Sequence, residues 1–177
     1  MRAMSETETA LALDDRAVED GPQSFEAFFE AERARLYGAL TLLTRNGHEA
    51  EEVMQDAFLR LFERWDRISA LHDPTGYLYR TAMNLFRSRR RRAAVAVRRA
   101  ARIKGRPDDL ARVEGNDAAT RILAKLSPRQ RAAVVLVDVL GFTSEEAAEH
   151  LAVKASTVRV LLSRGRASLR KEWNDRG

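Results

Sequence analysis

The sequence contains no cysteine and only three histidines, at positions 48, 72 and 150. Without cysteine the chain forms no disulfide and no thiolate metal site, and histidines so far apart do not suggest a ligand cluster. It has no apolar run of about 18 residues, and its first 20 residues carry six acidic side chains where a secretory signal begins basic. These absences predict a cytoplasmic protein without membrane insertion, metal or other cofactor.

Recognisable catalytic motifs are missing as well. The sequence has no Gly-rich phosphate-binding loop, no HExxH zinc motif and no plausible catalytic triad. Apolar residues make up 45% of the 177 positions, which is enough for the core of one ordinary domain or two small ones. We therefore predict a globular protein that is not an enzyme.

The net charge of +5 is unevenly distributed along the chain. Residues 86–106 hold ten basic and no acidic side chains, and residues 152–177 hold seven basic and two acidic ones. Residues 1–24, by contrast, hold six acidic and two basic side chains. Two separate basic segments favour two contacts with a polyanion. Nucleic acid is the first candidate, because each neutralised phosphate releases counterions.

Apolar residues recur at helical spacing over most of the chain, and no strand-like alternation of useful length is present. The first helix is predicted from Phe25 to a left-handed stop at Asn46-Gly47, and a second from about Glu49. A third helix should begin at Pro74, with Asp73 as its cap. The pattern predicts an all-α protein.

The chain divides into four predicted segments. Residues 1–24 form a flexible acidic tail, and residues 25–92 form the first helical domain. Residues 93–118 form a flexible basic linker, where apolar periodicity weakens and glycine and proline interrupt any helix. Residues 119–174 form the second helical domain. The predicted architecture is therefore two small helical domains joined by a flexible linker.

The second domain has two marked helix starts and one marked helix end. Ser127 with Gln130, and Thr143 with Glu146, have the spacing of capping boxes, and Gly141 ends the first of these helices. These signals divide the domain into short helices that begin shortly before the second basic segment.

The stretch from Thr143 to Arg166 predicts a helix-turn-helix. Its second helix buries the face of Val158 and exposes a polar and basic face, which consists of Ser156, Arg159, Val160, Ser163, Arg166 and Arg170. A helix of this kind enters the major groove of DNA. Taken alone, the pattern also fits an ordinary helical hairpin with a solvated arginine face.

The turn of this unit departs from expectation. Ala152 stands where a glycine is expected, at a cost of about 1 kcal/mol if its φ is positive. Lys154 stands where a capping serine is expected, so that Ser156 or Thr157 would cap the helix one turn late.

The arginine run at residues 87–92 continues the third helix, on which Tyr77, Tyr79 and Asn84 also lie. Aromatic and amide side chains beside cations suit single-stranded DNA, whose bases stack on aromatic rings. Alone, the run also fits a solvated or RNA-binding surface. At least one of the two tyrosines is expected in the core, and Trp65 is expected there too.

At this point the chain resembles the extracytoplasmic-function (ECF, group 4) sigma factors of bacterial RNA polymerase, in the sigma-70 family. "EAEEVMQDAFLRLFERW" followed by "PTGYLYRTAMNLFRSRRRR" resembles region 2, and "LSPRQRAAVVLVDVLGFTSEEAAEHLAVKASTVRVLLSRGRASLR" resembles region 4. The resemblance implies a sigma factor that binds core polymerase, recognises promoters, melts DNA and starts transcription without hydrolysing a nucleotide.

The resemblance also implies partners and contact residues. The clamp helices of the largest polymerase subunit would contact Gln55, Asp56, Arg60 and Glu63, and region 4 would contact the flap of the second-largest subunit. The minus-10 element would contact Tyr77, Tyr79, Asn84, Arg87, Arg90 and Arg91. The minus-35 element would contact Ser156, Arg159, Val160, Ser163, Arg164, Arg166 and Arg170. A dedicated anti-sigma factor would be a further partner.

Two other functions stay open on the sequence alone. One is a stand-alone helix-turn-helix regulator with an N-terminal dimerisation or sensor domain, which would bind duplex DNA without polymerase. The other is an RNA-binding adaptor that uses the arginine run with little sequence preference. Transcription with sigma-free core polymerase distinguishes the three.

Overall fold

A computed structural model describes residues 24–104 and 118–174 of the chain. Its helices are α1 (Phe25–Thr44), α2 (Gly47–Phe62), α3 (Trp65–Ile68), α4 (Pro74–Lys104), α5 (Ala118–Ala124), α6 (Pro128–Val134), α7 (Ser144–Leu151) and α8 (Ala155–Asn174). A π-helical turn, Val135–Val139, continues α6. All regular elements in these residues are helical, which confirms the all-α prediction.

The connection between α1 and α2 differs from the prediction. The left-handed residue is Arg45, with φ 60°, and its amide donates to the carbonyl of Thr41. Asn46 begins the next helix instead, because its side-chain oxygen accepts a hydrogen bond from the amide of Glu49 at 2.9 Å. An asparagine at this position satisfies an amide that would otherwise lack a partner, so α2 begins two residues earlier than predicted.

Helix α4 begins as predicted but extends further. Asp73 accepts a hydrogen bond from the amide of Gly76 at 2.7 Å, and Pro74 is the first helical residue. The helix continues to Lys104, through the first part of the segment predicted as a linker. Alanine and arginine dominate residues 93–99, which are all exposed, and both have high helix propensity. The rest of that linker, residues 105–117, lies outside the described residues, and the four-segment division stays a prediction.

In the first group of helices, α1 and α4 both pack against α2. Leu36, Leu40, Val53, Leu61 and Leu78 are fully buried between them. At one end, the Trp65 ring lies 5.5 Å from that of Phe25 and 5.1 Å from that of Phe28, as expected for a core tryptophan. This bundle fixes the directions in which α2 and α4 present their outer faces.

The second group of helices packs α8 closely against α6. Val158 and Leu162 of α8 are buried, and so is Gly165. A Cβ added at Gly165 would lie 3.0 Å from Cγ2 of Val134, so the missing side chain allows the two helices to approach. Both predicted capping boxes are formed, and Gly141, with φ 78°, follows the π-helical turn.

The two groups of helices contact each other directly. The buried ring of Tyr79 on α4 lies 5.1 Å from the ring of Phe142, which lies 4.6 Å from the ring of His150. Buried residues of both groups form one continuous hydrophobic core. Nη1 of Arg131 donates to the carbonyl of Leu43 across this contact at 3.2 Å. Any surface near Tyr79 is therefore covered by the second group in this arrangement.

Candidate nucleic-acid interface

The outer face of α8 is the first candidate surface. The residues predicted there are exposed: Ser156, Arg159, Val160, Ser163, Arg164, Arg166 and Arg170. Their neighbours Val158, Leu162 and Gly165 are buried, so the helix has the two faces that the sequence predicts. A groove of about 370 Å³ runs beside it, lined by Val137, Ser144, Arg159, Leu162, Ser163, Arg166 and Arg170. Three arginines along one groove create a favourable site for a phosphate backbone.

Carboxylates of neighbouring elements hold two of these arginines. Arg159 donates to Glu145, in the first turn of α7. Arg166 forms a bidentate pair with Asp138, with contacts of 3.1 and 2.5 Å. The pairs join residues 14 and 28 positions apart, so sequence periodicity did not indicate them.

The turn between α7 and α8 has the geometry that makes its alanine unfavourable. Ala152 has φ 52° and ψ 50°, which is the left-handed region that favours glycine. The amide of Val153 donates to the carbonyl of Ala148 at 3.0 Å and completes the end of α7. Helix α8 begins directly at Ala155, and the amides of Thr157 and Val158 donate to the carbonyl of Lys154. The predicted late cap at Ser156 or Thr157 is therefore wrong, because the helix begins before either residue.

Replacing Ala152 with glycine should raise the free energy of unfolding by about 1 kcal/mol, because glycine adopts a positive φ without a steric cost. Urea unfolding monitored by circular dichroism measures the change. Ala167→Gly, at an exposed position inside α8, is the matched control and should instead lower stability by roughly 0.5–1 kcal/mol. A loss of stability in both variants would contradict the argument.

The second candidate surface lies on α4. Asn84 and Arg91 are exposed, and the guanidinium of Arg90, also exposed, lies over the Phe86 ring at 5.7 Å. Arg87 is half-buried and donates to Oδ1 of Asn84 at 2.7 Å and to the carbonyl of Leu151 in the second group. These side chains lie together, as predicted, although Arg87 is occupied by a contact with the second group.

The two tyrosines of α4 differ in accessibility. Tyr77 is half-buried, and its hydroxyl accepts a long hydrogen bond of 3.4 Å from Arg64. Tyr79 is fully buried, and burial together with the nearby Glu32 raises the pKa of its hydroxyl. The expectation that at least one tyrosine lies in the core is confirmed. In this arrangement Tyr79 cannot contact DNA.

The third candidate surface is the outer face of α2. Gln55, Arg60 and Glu63 are exposed, and Oδ2 of Asp56 accepts a bond of 2.8 Å from Arg89, which also pairs with Glu52. The bond to Asp56 raises the pKa of Arg89. Two apolar side chains lie on the same helix, Leu59 and Phe62, each 57% exposed. No surface role was predicted from the sequence for either of these two side chains.

Four arginines link the two groups of helices. Arg35 donates to the carbonyl of Leu140, Arg87 to Leu151 and Arg131 to Leu43, and Arg80 forms an ion pair of 2.5 Å with Glu149. His150 is buried at this contact, and burial, followed by the nearby Arg80, lowers its pKa. Three of these four arginines donate to backbone carbonyls. The pattern of charged residues in the sequence does not predict such contacts.

Within residues 24–104 and 118–174, no group of three or more histidine, aspartate or glutamate side chains is arranged to hold a metal ion. None of the helices in these ranges combines the length and apolar character needed to cross a bilayer.

Comparison with protein families gives two matches, one for each group of helices. The family described as Sigma-70 region 2 matches residues 28–95, and that described as Sigma-70, region 4 matches residues 116–169. Together the matches cover well over half of the chain. The chain belongs to the sigma-70 family, among its ECF RNA polymerase sigma factors.

Individual relatives carry the same family name. ECF RNA polymerase sigma factor SigE of Mycolicibacterium smegmatis is 34% identical, and the alignment covers 77% of this chain and 56% of that protein. SigM of Mycobacterium tuberculosis is 30% identical, with 82% and 75% covered. The chain therefore spans little more than half of SigE and three quarters of SigM.

Solved structures show the same fold. The sigma factor RpoE in complex with the anti-sigma factor NepR from Bartonella quintana has a TM-score of 0.68 at 22% identity, covering 83% of this chain and 94% of that one. CnrH in complex with the cytosolic domain of CnrY has a TM-score of 0.59 at 24% identity, covering 86% and 89%. The fold of this chain is thus found in the sigma factor RpoE and in CnrH.

Proposed function

We propose that this protein is a sigma factor that binds core RNA polymerase, directs it to promoters, opens the DNA and so starts transcription. The observation that carries the proposal is a pair of separate arginine-rich surfaces, on α4 and α8, within two units that match sigma regions 2 and 4. A single basic surface would suit a simple DNA-binding protein. Two surfaces on two units suit recognition of two promoter elements.

Helix α8 would read the minus-35 element in the major groove. Arg159, Val160, Ser163 and Arg164 would face bases, and Arg166 and Arg170 would contact phosphates. The support is the exposure of all these side chains on one helix whose opposite face is buried. An arginine in a major groove contacts guanine through two hydrogen bonds, and phosphate contacts fix the orientation of the helix.

Two substitutions on α8 separate the base contact from the phosphate contact. Arg159→Ala should weaken binding to the preferred minus-35 sequence by roughly 1–3 kcal/mol and relax the preference at one base pair. Arg170→Ala should weaken binding to all sequences alike. Affinities of the holoenzyme for duplexes that differ at single minus-35 positions measure both effects. Equal losses across sequences for both variants would refute the role of Arg159.

Helix α4 would hold the minus-10 element and its melted strand. Asn84, Arg87, Arg90, Arg91 and Tyr77 form the accessible part of this surface, where cations lie beside aromatic rings. Tyr79 would join them only after the two units separate, because Phe142 covers its ring here. We infer that promoter binding requires this separation. A flipped base costs a few kcal/mol of stacking, which a pocket with a cationic rim offsets.

The outer face of α2 would bind the clamp helices of the largest polymerase subunit. Gln55, Asp56, Arg60 and Glu63 would supply polar contacts, and Leu59 and Phe62 would supply the buried centre. Interfaces of this kind have an apolar core within a polar rim, which matches the distribution on α2. Region 4 would contact the flap of the second-largest subunit.

The remaining proposals concern organisation and regulation. Residues 25–92 would form region 2, residues 93–118 the linker and residues 119–174 region 4, with residues 1–24 as an acidic tail. RpoE and CnrH are each described in complex with a second protein, NepR and the cytosolic domain of CnrY respectively, and NepR is described as an anti-sigma factor. We propose a regulator of that kind for this chain. The chain itself would act in the cytoplasm and would catalyse no reaction.

Transcription with sigma-free core polymerase tests the proposed function. The full chain plus core enzyme should give promoter-dependent transcripts from promoters of its own genome, while core enzyme alone should give none. Promoter binding should be weak without polymerase. Sequence-specific duplex binding by the chain alone, with no transcript in any reconstituted reaction, would favour a stand-alone regulator and overturn the proposal.

A further inference from the structure

We propose that Asp138 is a positioning residue for promoter recognition: it holds the guanidinium of Arg166 beside the groove of α8 and so limits contacts with the phosphates of non-cognate DNA. The proposal rests on the proposed function, because it takes α8 as the helix that reads DNA. Asp138 lies outside the helix-turn-helix, in the π-helical turn that continues α6.

The pair between Asp138 and Arg166 has a defined geometry. Nε of Arg166 lies 3.1 Å from Oδ2 of Asp138, and Nη2 lies 2.5 Å from Oδ1. Two parallel bonds fix the plane of the guanidinium as well as its position. The hydrogen bond that Arg166 donates to Asp138 raises the pKa of Arg166. The pair therefore holds Arg166 along one wall of the groove.

The backbone around Asp138 supports this placement. The amide of Leu140 donates to the carbonyl of Val135 at 3.0 Å, an i to i+5 bond that widens the turn. Val135 and Leu136 stay buried, while Asp138 is presented at the surface facing α8. Single π-helical turns inside helices are frequently found at functional sites. The turn thus places a carboxylate against the proposed DNA-contacting face.

Arg166 differs from the other cations of this face. Arg164 and Arg170 form no ion pair with any described residue, and Arg159 has one hydrogen bond with Glu145. Among the described arginines of α8, Arg166 alone is held by two side-chain hydrogen bonds. An exposed ion pair of this kind is weak, so it orients Arg166 without preventing it from binding a phosphate.

Asp138 should act on specificity in two ways. Its negative charge beside the groove repels the phosphates of any DNA, cognate or not. Its two bonds favour the orientation of Arg166 that meets a phosphate in the position set by correct docking of α8. Non-cognate complexes, which dock in many registers, lose that contact. The carboxylate therefore lowers non-specific affinity more than specific affinity.

Substitution of Asp138 with asparagine in the full chain, assembled into holoenzyme, tests this. Duplexes enriched by wild-type holoenzyme from a library randomised in the minus-35 region serve as the specific probe, and a scrambled duplex serves as the non-specific one. D138N should bind the scrambled duplex roughly three- to tenfold more tightly, and its salt dependence there should steepen by about 0.9, the value for one added phosphate contact. The ratio of specific to non-specific affinity should fall.

Two further variants identify the partner of Asp138. D138E keeps a carboxylate within reach and should restore the wild-type ratio. In an R166Q background, D138N should leave the ratio unchanged, because direct repulsion acts on all DNA alike and the effect on the ratio passes through Arg166. An unchanged ratio in D138N, or an equal change with and without Arg166, would overturn the proposal. If wild-type holoenzyme enriches no sequence at all, the proposed function itself fails, which is a different result.

Discussion

Replacing Arg131 with methionine should lower the free energy of unfolding by about 3 kcal/mol, because three buried carbonyls lose their donor. Arg131 is 4% exposed. It donates to the carbonyls of Leu123 at 2.9 Å, Leu126 at 3.1 Å and Leu43 at 3.2 Å. Methionine replaces the aliphatic part of the arginine side chain but donates no hydrogen bond. Urea unfolding at neutral pH measures the loss.

The charge of Arg131 has no carboxylate partner among the described residues. Burial, followed by the nearby Arg45 and Arg90, lowers its pKa to about 10, so the guanidinium is still protonated at neutral pH. Its partners are the carbonyls of Leu123 in the last turn of α5, Leu126 in the turn that follows, and Leu43 at the end of α1. The carbonyl ends of helices carry partial negative charge. The planar guanidinium donates to these three carbonyls through three different nitrogens, Nε, Nη1 and Nη2.

Two control variants distinguish the loss of the hydrogen-bond donors from the loss of the positive charge. R131K keeps the charge, but a single ammonium group cannot reach three carbonyls in the same way, so it should be nearly as unstable as R131M. R129M, at an exposed position of the same helix, should change stability by less than about 0.5 kcal/mol. Wild-type stability in R131K would show that charge alone suffices, and wild-type stability in R131M would contradict the argument entirely.

Helix starts and the faces of helices could be predicted from the sequence because their causes are local. The cap at Asp73 and both capping boxes depend on residues three positions apart. The buried face of α8 follows from apolar spacing within one helix, and Val158 and Leu162 confirm it. The same local chemistry fails where two signals compete, as at Asn46, which the sequence suggested as a stop and the structure uses as a cap.

Contacts between distant residues could not be predicted in this way. Tyr79 is buried because Phe142 lies over it, and nothing near Tyr79 in the sequence indicates this. The Phe62 ring contacts that of Phe25 at 4.9 Å and is still 57% exposed, a combination that apolar spacing within α2 does not indicate. The partners of Arg131 are carbonyls, which every residue carries, so no sequence motif marks them. Such features arise from how helices pack, which periodicity does not specify.

The contact between the two groups of helices covers part of one candidate surface, the one on α4. Tyr79 and Arg87 on α4 face the second group, and α8 carries its own acidic partners. The outer face of α2 is accessible, with Leu59 and Phe62 exposed. If α2 binds polymerase as proposed, that binding can precede the separation of the two groups. In this order of events, binding of the polymerase, rather than of DNA, would start the separation of the two groups of helices.

Replacing Leu59 with aspartate should weaken binding to core polymerase by roughly 30- to 100-fold while leaving the fold intact. Burying a leucine in an interface contributes about 1.5–3 kcal/mol, and a buried unpaired carboxylate adds a further cost. Leu59 is already 57% exposed in the free protein, so its loss costs little stability. Fluorescence anisotropy of labelled full-length protein, titrated with core enzyme in the absence of DNA, measures the affinity.

Leu71→Asp is the matched control, because Leu71 is 47% exposed but lies after α3 and outside the α2 face. It should leave core affinity within about twofold, since an apolar side chain outside the interface contributes little to binding. Thermal unfolding of both variants checks that each is folded. Phe62 is a less suitable test, because its ring packs at 4.9 Å against Phe25 and its loss would also affect the bundle. Equal core affinities for the Leu59 variant and the wild type would show that polymerase does not bind this face of α2.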